Sequence, residues 1–140
     1  MAKDLQTLIR LNEWTVDERR RELGDVLGSL ETLESGLTRL GEELVREQQA
    51  AQSSPDVAGF LYGSYATAVI DRRYHLNAGI AQMTAKVTEA RERLDEAYRE
   101  LKKYEVAHEN RTLKLAKEAS RLEQIEMDEL GLQAHRMKHR

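Results

Sequence analysis

The chain has 140 residues, 34% of them charged and 5% aromatic, with one proline, no cysteine and a net charge of −3. That composition fits a long-helix or coiled-coil protein better than an ordinary globular core. It excludes a disulfide framework, a thiolate zinc site and a cysteine nucleophile, and the slight acidity argues against a general nucleic-acid binder.

The start, Met1-Ala2-Lys3-Asp4-Leu5, lacks the apolar core of a signal peptide, which points to a cytoplasmic protein. No apolar stretch approaches the ~20 residues of a membrane span, so no direct membrane insertion is expected. From about residue 3 to residue 51, apolar residues recur in steps of three and four. The a positions read Ile9, Val16, Leu23, Leu30, Leu37 and Leu44; the d positions read Leu5, Asn12, Arg19, Val26, Leu33 and Leu40. Only Asn12 and Arg19 interrupt the pattern, which sustains a coiled-coil seam. Arg19 at d predicts either a register-setting residue or a partner acid on the facing helix.

The single proline falls in Gln52-Ser53-Ser54-Pro55-Asp56. Ser53 or Ser54 suits a helix cap, Pro55 a first turn and Asp56 an N-terminal dipole. The residue before a proline avoids the α region, so the first helix should stop near Ala51. A turn over about 52–55 then leads into a second helix over about 56–137.

The second helix carries one unbroken frame of a and d residues: Tyr62, Ala66, Val69, Arg73, Leu76, Ile80, Met83, Val87, Ala90, Leu94, Ala97, Leu101 and Tyr104. Beyond Tyr104 the same frame gives His108, Arg111, Leu115, Glu118, Leu122, Ile125, Glu129, Leu132 and Arg136, and it weakens. Folding back at Pro55 pairs residues whose numbers add up to about 106, so that Leu44 meets Tyr62 and Leu5 meets Leu101. A register one heptad longer, adding up to about 113, is the near alternative. The fold expected is therefore all-α, one domain over 1–140, a long antiparallel two-helix coiled-coil hairpin with the second helix overhanging. At ~1.5 Å per residue the paired part spans about 75 Å and the overhang about 50 Å. A self-paired hairpin needs no second copy, so the free protein is expected to be a monomer.

Residues off the seam are where such a protein meets others. Leu8, Leu11 and Trp14 form an apolar strip beside the first seam. Either it covers a wider core against Tyr98, or Trp14 anchors a partner, since tryptophan is favoured at hot spots. Phe60, Tyr65 and Tyr74 gather near the turn and either cap the hairpin end or form a docking patch. Seven glycines, at 24, 28, 36, 41, 63, 79 and 131, avoid the a and d positions. They mark either tolerated drift on outer faces or close approach of a neighbour. The four histidines lack paired metal-ligand spacing, no phosphate-cradling loop is present, and a narrow hairpin offers no pocket. Catalytic residues, cofactor and metal are thus expected to be none, and an enzyme is not expected.

Leu8-Ile9-Arg10-Leu11-Asn12-Glu13-Trp14-Thr15-Val16-Asp17-Glu18-Arg19-Arg20-Arg21-Glu22-Leu23 resembles the opening of flagellar FliJ proteins. The resemblance continues in Ala97-Tyr98-Arg99-Glu100-Leu101-Lys102-Lys103-Tyr104-Glu105 and in Glu123-Gln124-Ile125-Glu126-Met127-Asp128-Glu129-Leu130. It implies a place in flagellum biogenesis, within the type III protein export apparatus; the alternatives are a virulence type III secretion stalk protein and a homodimeric structural or tethering coiled coil. The partners it implies are the hexameric export ATPase, the cytoplasmic domain of the export gate and the export chaperones, at the cytoplasmic side of the basal body. By position, it assigns Leu8, Leu11, Trp14, Leu115 and Leu122 to the ATPase-ring end. It assigns Phe60, Tyr65, Val69 and Tyr74 to gate binding near the turn.

Overall fold

The computed structural model describes the backbone of residues 2–53 and 55–139 and the side chains of 4–53 and 62–139. Helix α1 runs Ala2–Ser53 and helix α2 Pro55–Lys138. Two long helices pack against each other with no strand among the described residues, the all-α antiparallel coiled-coil hairpin expected. The helix ends lie within two residues of the predicted bounds. Pro55 opens α2 at a position where its missing N–H costs no intrahelical bond. The Ser53 hydroxyl donates to the Gln49 carbonyl at 3.1 Å, so this serine closes α1 instead of capping α2. The alternative cap, Ser54, lies outside the described residues.

The chain divides into two compact units, one formed by Thr15–Ala97 and the other by Met1–Trp14 with Tyr98–Arg140. In the first unit the buried core is Val16, Leu40, Val69, Val87, Ala90 and Ala97, all of them predicted seam residues. The remaining seam residues there are half-buried, except Arg73, which is exposed. A charged side chain at an a position avoids the cost of dehydration by turning out of the seam.

The register is the longer one. A β-carbon built on Gly36 would stand 3.5 Å from Leu76 Cδ2, and one built on Gly79 would stand 3.3 Å from Leu33 Cδ1. Both pairs of numbers add up to 112, and the reversed order shows the antiparallel sense. A shallow cleft lined by Glu22, Val26, Lys86, Glu89, Ala90 and Arg93 repeats that offset. Another cleft sets Tyr62 beside Ala51. The offset of 106 expected from counting apolar layers is therefore corrected to 112. Size complementarity explains the choice: Leu33 meets a glycine and Leu76 meets a glycine. Large against small fills the inter-helix space without strain. These two glycines mark close approach of the facing helix, whereas Gly24, Gly28, Gly41, Gly63 and Gly131 have nothing within 4 Å.

In the second unit, Leu5, Ile9 and Asn12 of α1 are half-buried, as are Leu101, Tyr104, His108 and Arg111 of α2. Cover of the α2 seam thus extends one heptad past Tyr104. From residue 112 to residue 139 every residue is exposed. Mid-helix threonines satisfy their hydroxyls against their own backbone, as Thr112 does with the His108 carbonyl at 3.0 Å. Arg19 donates to both carboxylate oxygens of Glu22, one turn along the same helix, at 2.9 and 3.2 Å. The acid expected on the facing helix is instead supplied by α1 itself.

Candidate interaction surfaces

The predicted surface residues fall in both units. In the unit that holds both chain ends, Leu8, Leu11 and Trp14 stand on one turn-and-a-half of α1, three residues apart. Trp14 is 61% exposed, Leu11 is also exposed, and Leu8 lies at the edge of exposure. The strip therefore faces solvent and does not extend the core. The Asn12 amide holds the Leu8 carbonyl at 2.7 Å, which keeps Asn12 on its own helix at the seam margin. On α2 in the same unit, Leu115 and Leu122 are exposed, as predicted from the weakened frame. Sequence reasoning did not single out Ile125 and Leu132 as surface residues, although both share that frame and are exposed. The signal was their spacing, Ile125 three residues after Leu122 and Leu132 seven after Ile125.

In the unit 15–97 the assigned residues separate. Val69 is 4% exposed and belongs to the seam. Tyr65 is half-buried, its ring 6.3 Å from that of Tyr62. Its hydroxyl is shielded from solvent. Burial, followed by the negative charges of Glu43 and Glu47, raises its pKa above the ordinary 10.0, with Arg72 pulling the other way. Tyr74 is 70% exposed, with its ring edge-on to His75 at 5.7 Å. The side chain of Phe60 lies outside the described residues. Ile70, one turn before Tyr74, is exposed as well and was not foreseen. Its e position reads as seam margin in a heptad frame, and only the packed structure shows that the facing helix does not reach it. Next to this pair, His75 sits 3.4 Å from Asp71.

Among the described residues, no group of three or more His, Asp or Glu side chains could hold a metal ion. His135, on the last turn of α2, and His139, just past its end, flank the cations Arg136 and Lys138 in sequence, and their rings lie 4.5 Å apart. Among the described residues, no helix is long and apolar enough to cross a membrane.

The class defined by this geometry is the antiparallel coiled-coil hairpin with apolar side chains displayed outside its seam. The family model of the flagellar FliJ protein matches residues 1–140. Flagellar FliJ proteins of two Caulobacter vibrioides strains, NA1000 / CB15N and ATCC 19089 / CIP 103742 / CB 15, are each 29% identical to this chain over 132 residues, 94% of its length and 94% of theirs. No solved structure matches. The chain belongs to the flagellar FliJ family, and it is accordingly a flagellar export-related protein of a non-catalytic family.

Proposed function

We propose that the protein is a stalk-like coupling element of the flagellar type III export apparatus. It binds the hexameric export ATPase through one unit and the cytoplasmic domain of the export gate through the other, and it handles export chaperones in passing. The observation that carries this reading is Trp14. A tryptophan left 61% exposed beside Leu11 on a helix with a filled seam of its own is an anchor in search of a pocket. Leu115 and Leu122 add apolar surface to the same unit. In the other unit, exposed Tyr74 and Ile70 supply a second, chemically separate contact, with Tyr65 at its margin.

The mechanism needs no chemistry from this chain. A hairpin that differs around its circumference presents a different side chain to each subunit of a six-fold ring. A ligand with unequal affinity for the ring's conformers shifts their populations, and so biases which subunit acts next. The free protein works as a monomer at the cytoplasmic face of the basal body, with the second copy's place taken by its own other helix. Trp14→Ala should weaken binding to the export ATPase by about ten-fold or more, the cost of a lost hot spot, with the helical circular-dichroism signal unchanged. Equal affinity of the variant and the parent protein counts against this end of the assignment.

A further inference from the structure

The α2 frame does not stop where its cover stops. In the unit holding the chain ends, Leu101, Tyr104, His108 and Arg111 are half-buried, and the same heptad positions continue as Leu115, Leu122, Ile125 and Leu132 with no helix over them. Their spacing is that of knobs awaiting holes, continuous with an interface already formed. Two acids interrupt the uncovered stretch on the seam itself, Glu118 and Glu129. Around them, residues 118–130 hold Glu118, Glu123, Glu126, Asp128 and Glu129 against one base, Arg121.

That charge pattern decides between occupants. A second copy laid parallel sets Glu118 on Glu118 and Glu129 on Glu129. A second copy laid antiparallel, with Leu122 on Ile125 and Leu115 on Leu132, sets Glu118 on Glu129 twice. Like charges facing each other in a seam are destabilising, so self-pairing is opposed in either direction. A partner helix with bases at those two positions meets none of that opposition and gains from the whole acidic segment. Arg121 already holds Glu118 at 2.6 and 3.3 Å. A carboxylate accepts several donors, so this local pair orients Glu118 without exhausting it.

We propose that residues 115–132, with five acids against Lys117 and Arg121, are a docking face for a basic amphipathic helix of a partner protein, which lies along Leu115, Leu122, Ile125 and Leu132 and places Lys or Arg opposite Glu118 and Glu129. This deepens the stalk reading by giving the chemistry of the segment that the tail engages. Its test uses no ATPase and no export gate, so the two readings fail separately.

The test is calorimetric titration of the full chain with two synthetic helical peptides. Both carry the same leucine heptads; one has lysine and the other glutamate at the two positions facing Glu118 and Glu129. The lysine peptide should bind about ten-fold or more tighter at low salt, and the margin should shrink as salt screens the charges. The E118K/E129K chain should reverse the preference. Leu122→Asp with Ile125→Asp should abolish binding of both peptides while the helical signal and sedimentation stay those of the parent. Equal binding of the two peptides, or binding that survives Leu122→Asp with Ile125→Asp, overturns the proposal. A chain that sediments as a dimer until Leu122 is replaced overturns it too, in favour of a second copy.

Discussion

Two stretches of α2 carry the same pattern and meet opposite fates. Over 69–97, a and d residues every three or four positions are sunk against α1, and Val69, Val87, Ala90 and Ala97 are all but closed to solvent. Over 112–139, the same spacing stands open, with Leu122 54% exposed. A heptad pattern therefore specifies a face and leaves its occupant to be supplied. Where the chain provides the occupant, the face is structural. Where it does not, the face is available for recognition, and the acids along it select the visitor.

The sharpest way to break this comparison is through the register that covers the first stretch. The chain has no cysteine, so introduced thiols report without background. Leu33→Cys with Gly79→Cys, an offset of 112, should be joined almost completely by a short bifunctional thiol reagent. Leu33→Cys with Arg73→Cys, matching the shorter offset, should remain largely unjoined. The reverse outcome on a denaturing gel would remove the size-complementarity argument.

Next in magnitude is the contrast between covered and uncovered leucines. Leu40 is 2% exposed, so Leu40→Ala should cost about 2–4 kcal/mol through lost burial and a cavity. Leu122→Ala should stay within about 0.5 kcal/mol in the free protein, as exposed positions do. Urea midpoints of the two variants check both values. A comparable loss at Leu122 would mean that the tail is already covered.

The glycines give a smaller and opposite effect. Gly24→Ala and Gly28→Ala add a methyl to open space, and each should stabilise by about 1 kcal/mol from helix propensity. Gly79→Ala should gain less, because its methyl meets Leu33 Cδ1 at 3.3 Å and the leucine must yield. Melting temperatures in that order support the close approach; equal gains at all three sites count against it.

The smallest effect is at Tyr65. Its pKa is raised in the folded protein by burial and by Glu43 and Glu47. The neutral phenol is thus favoured by folding. The corresponding stability is fully present below the unfolded value of 10.0 and is lost as pH rises above it toward the folded value. Parent and Tyr65→Phe proteins should melt with the same pH dependence up to about pH 9.5, by linkage to that titration, and diverge only above it. Indistinguishable curves to pH 11 would show that the shielding is not felt in solution.

Much of this molecule is written in local pattern. Every a and d position that the heptad frame names on α1, from Leu5 to Leu44, is buried or half-buried. Pro55 marks the fold-back to within two residues, because a proline's geometry is a property of one residue and its neighbours. The exposure of Trp14 and Leu122 follows from their place in the frame or beyond its cover.

Other features depended on neighbours distant in sequence. Arg19 had two candidate roles, setting register or meeting an acid on the facing helix, and the structure instead pairs it with Glu22 on its own helix. Val69 and Tyr74 were assigned together to gate binding by resemblance, yet the frame puts Val69 on the seam, where the facing helix seals it, and Tyr74 outside it, where it stands open.

The amino-acid order by itself determined two helices, the position of the break and the stripe each helix buries, because periodicity and proline act within a few residues. The tertiary structure alone decided the register. Two offsets one heptad apart present nearly equal apolar content, and the choice falls to shape, with Leu33 seated against Gly79 and Leu76 against Gly36. Such fit exists only once both helices are in place, since packing depends on volumes meeting across a gap and hydropathy does not record them.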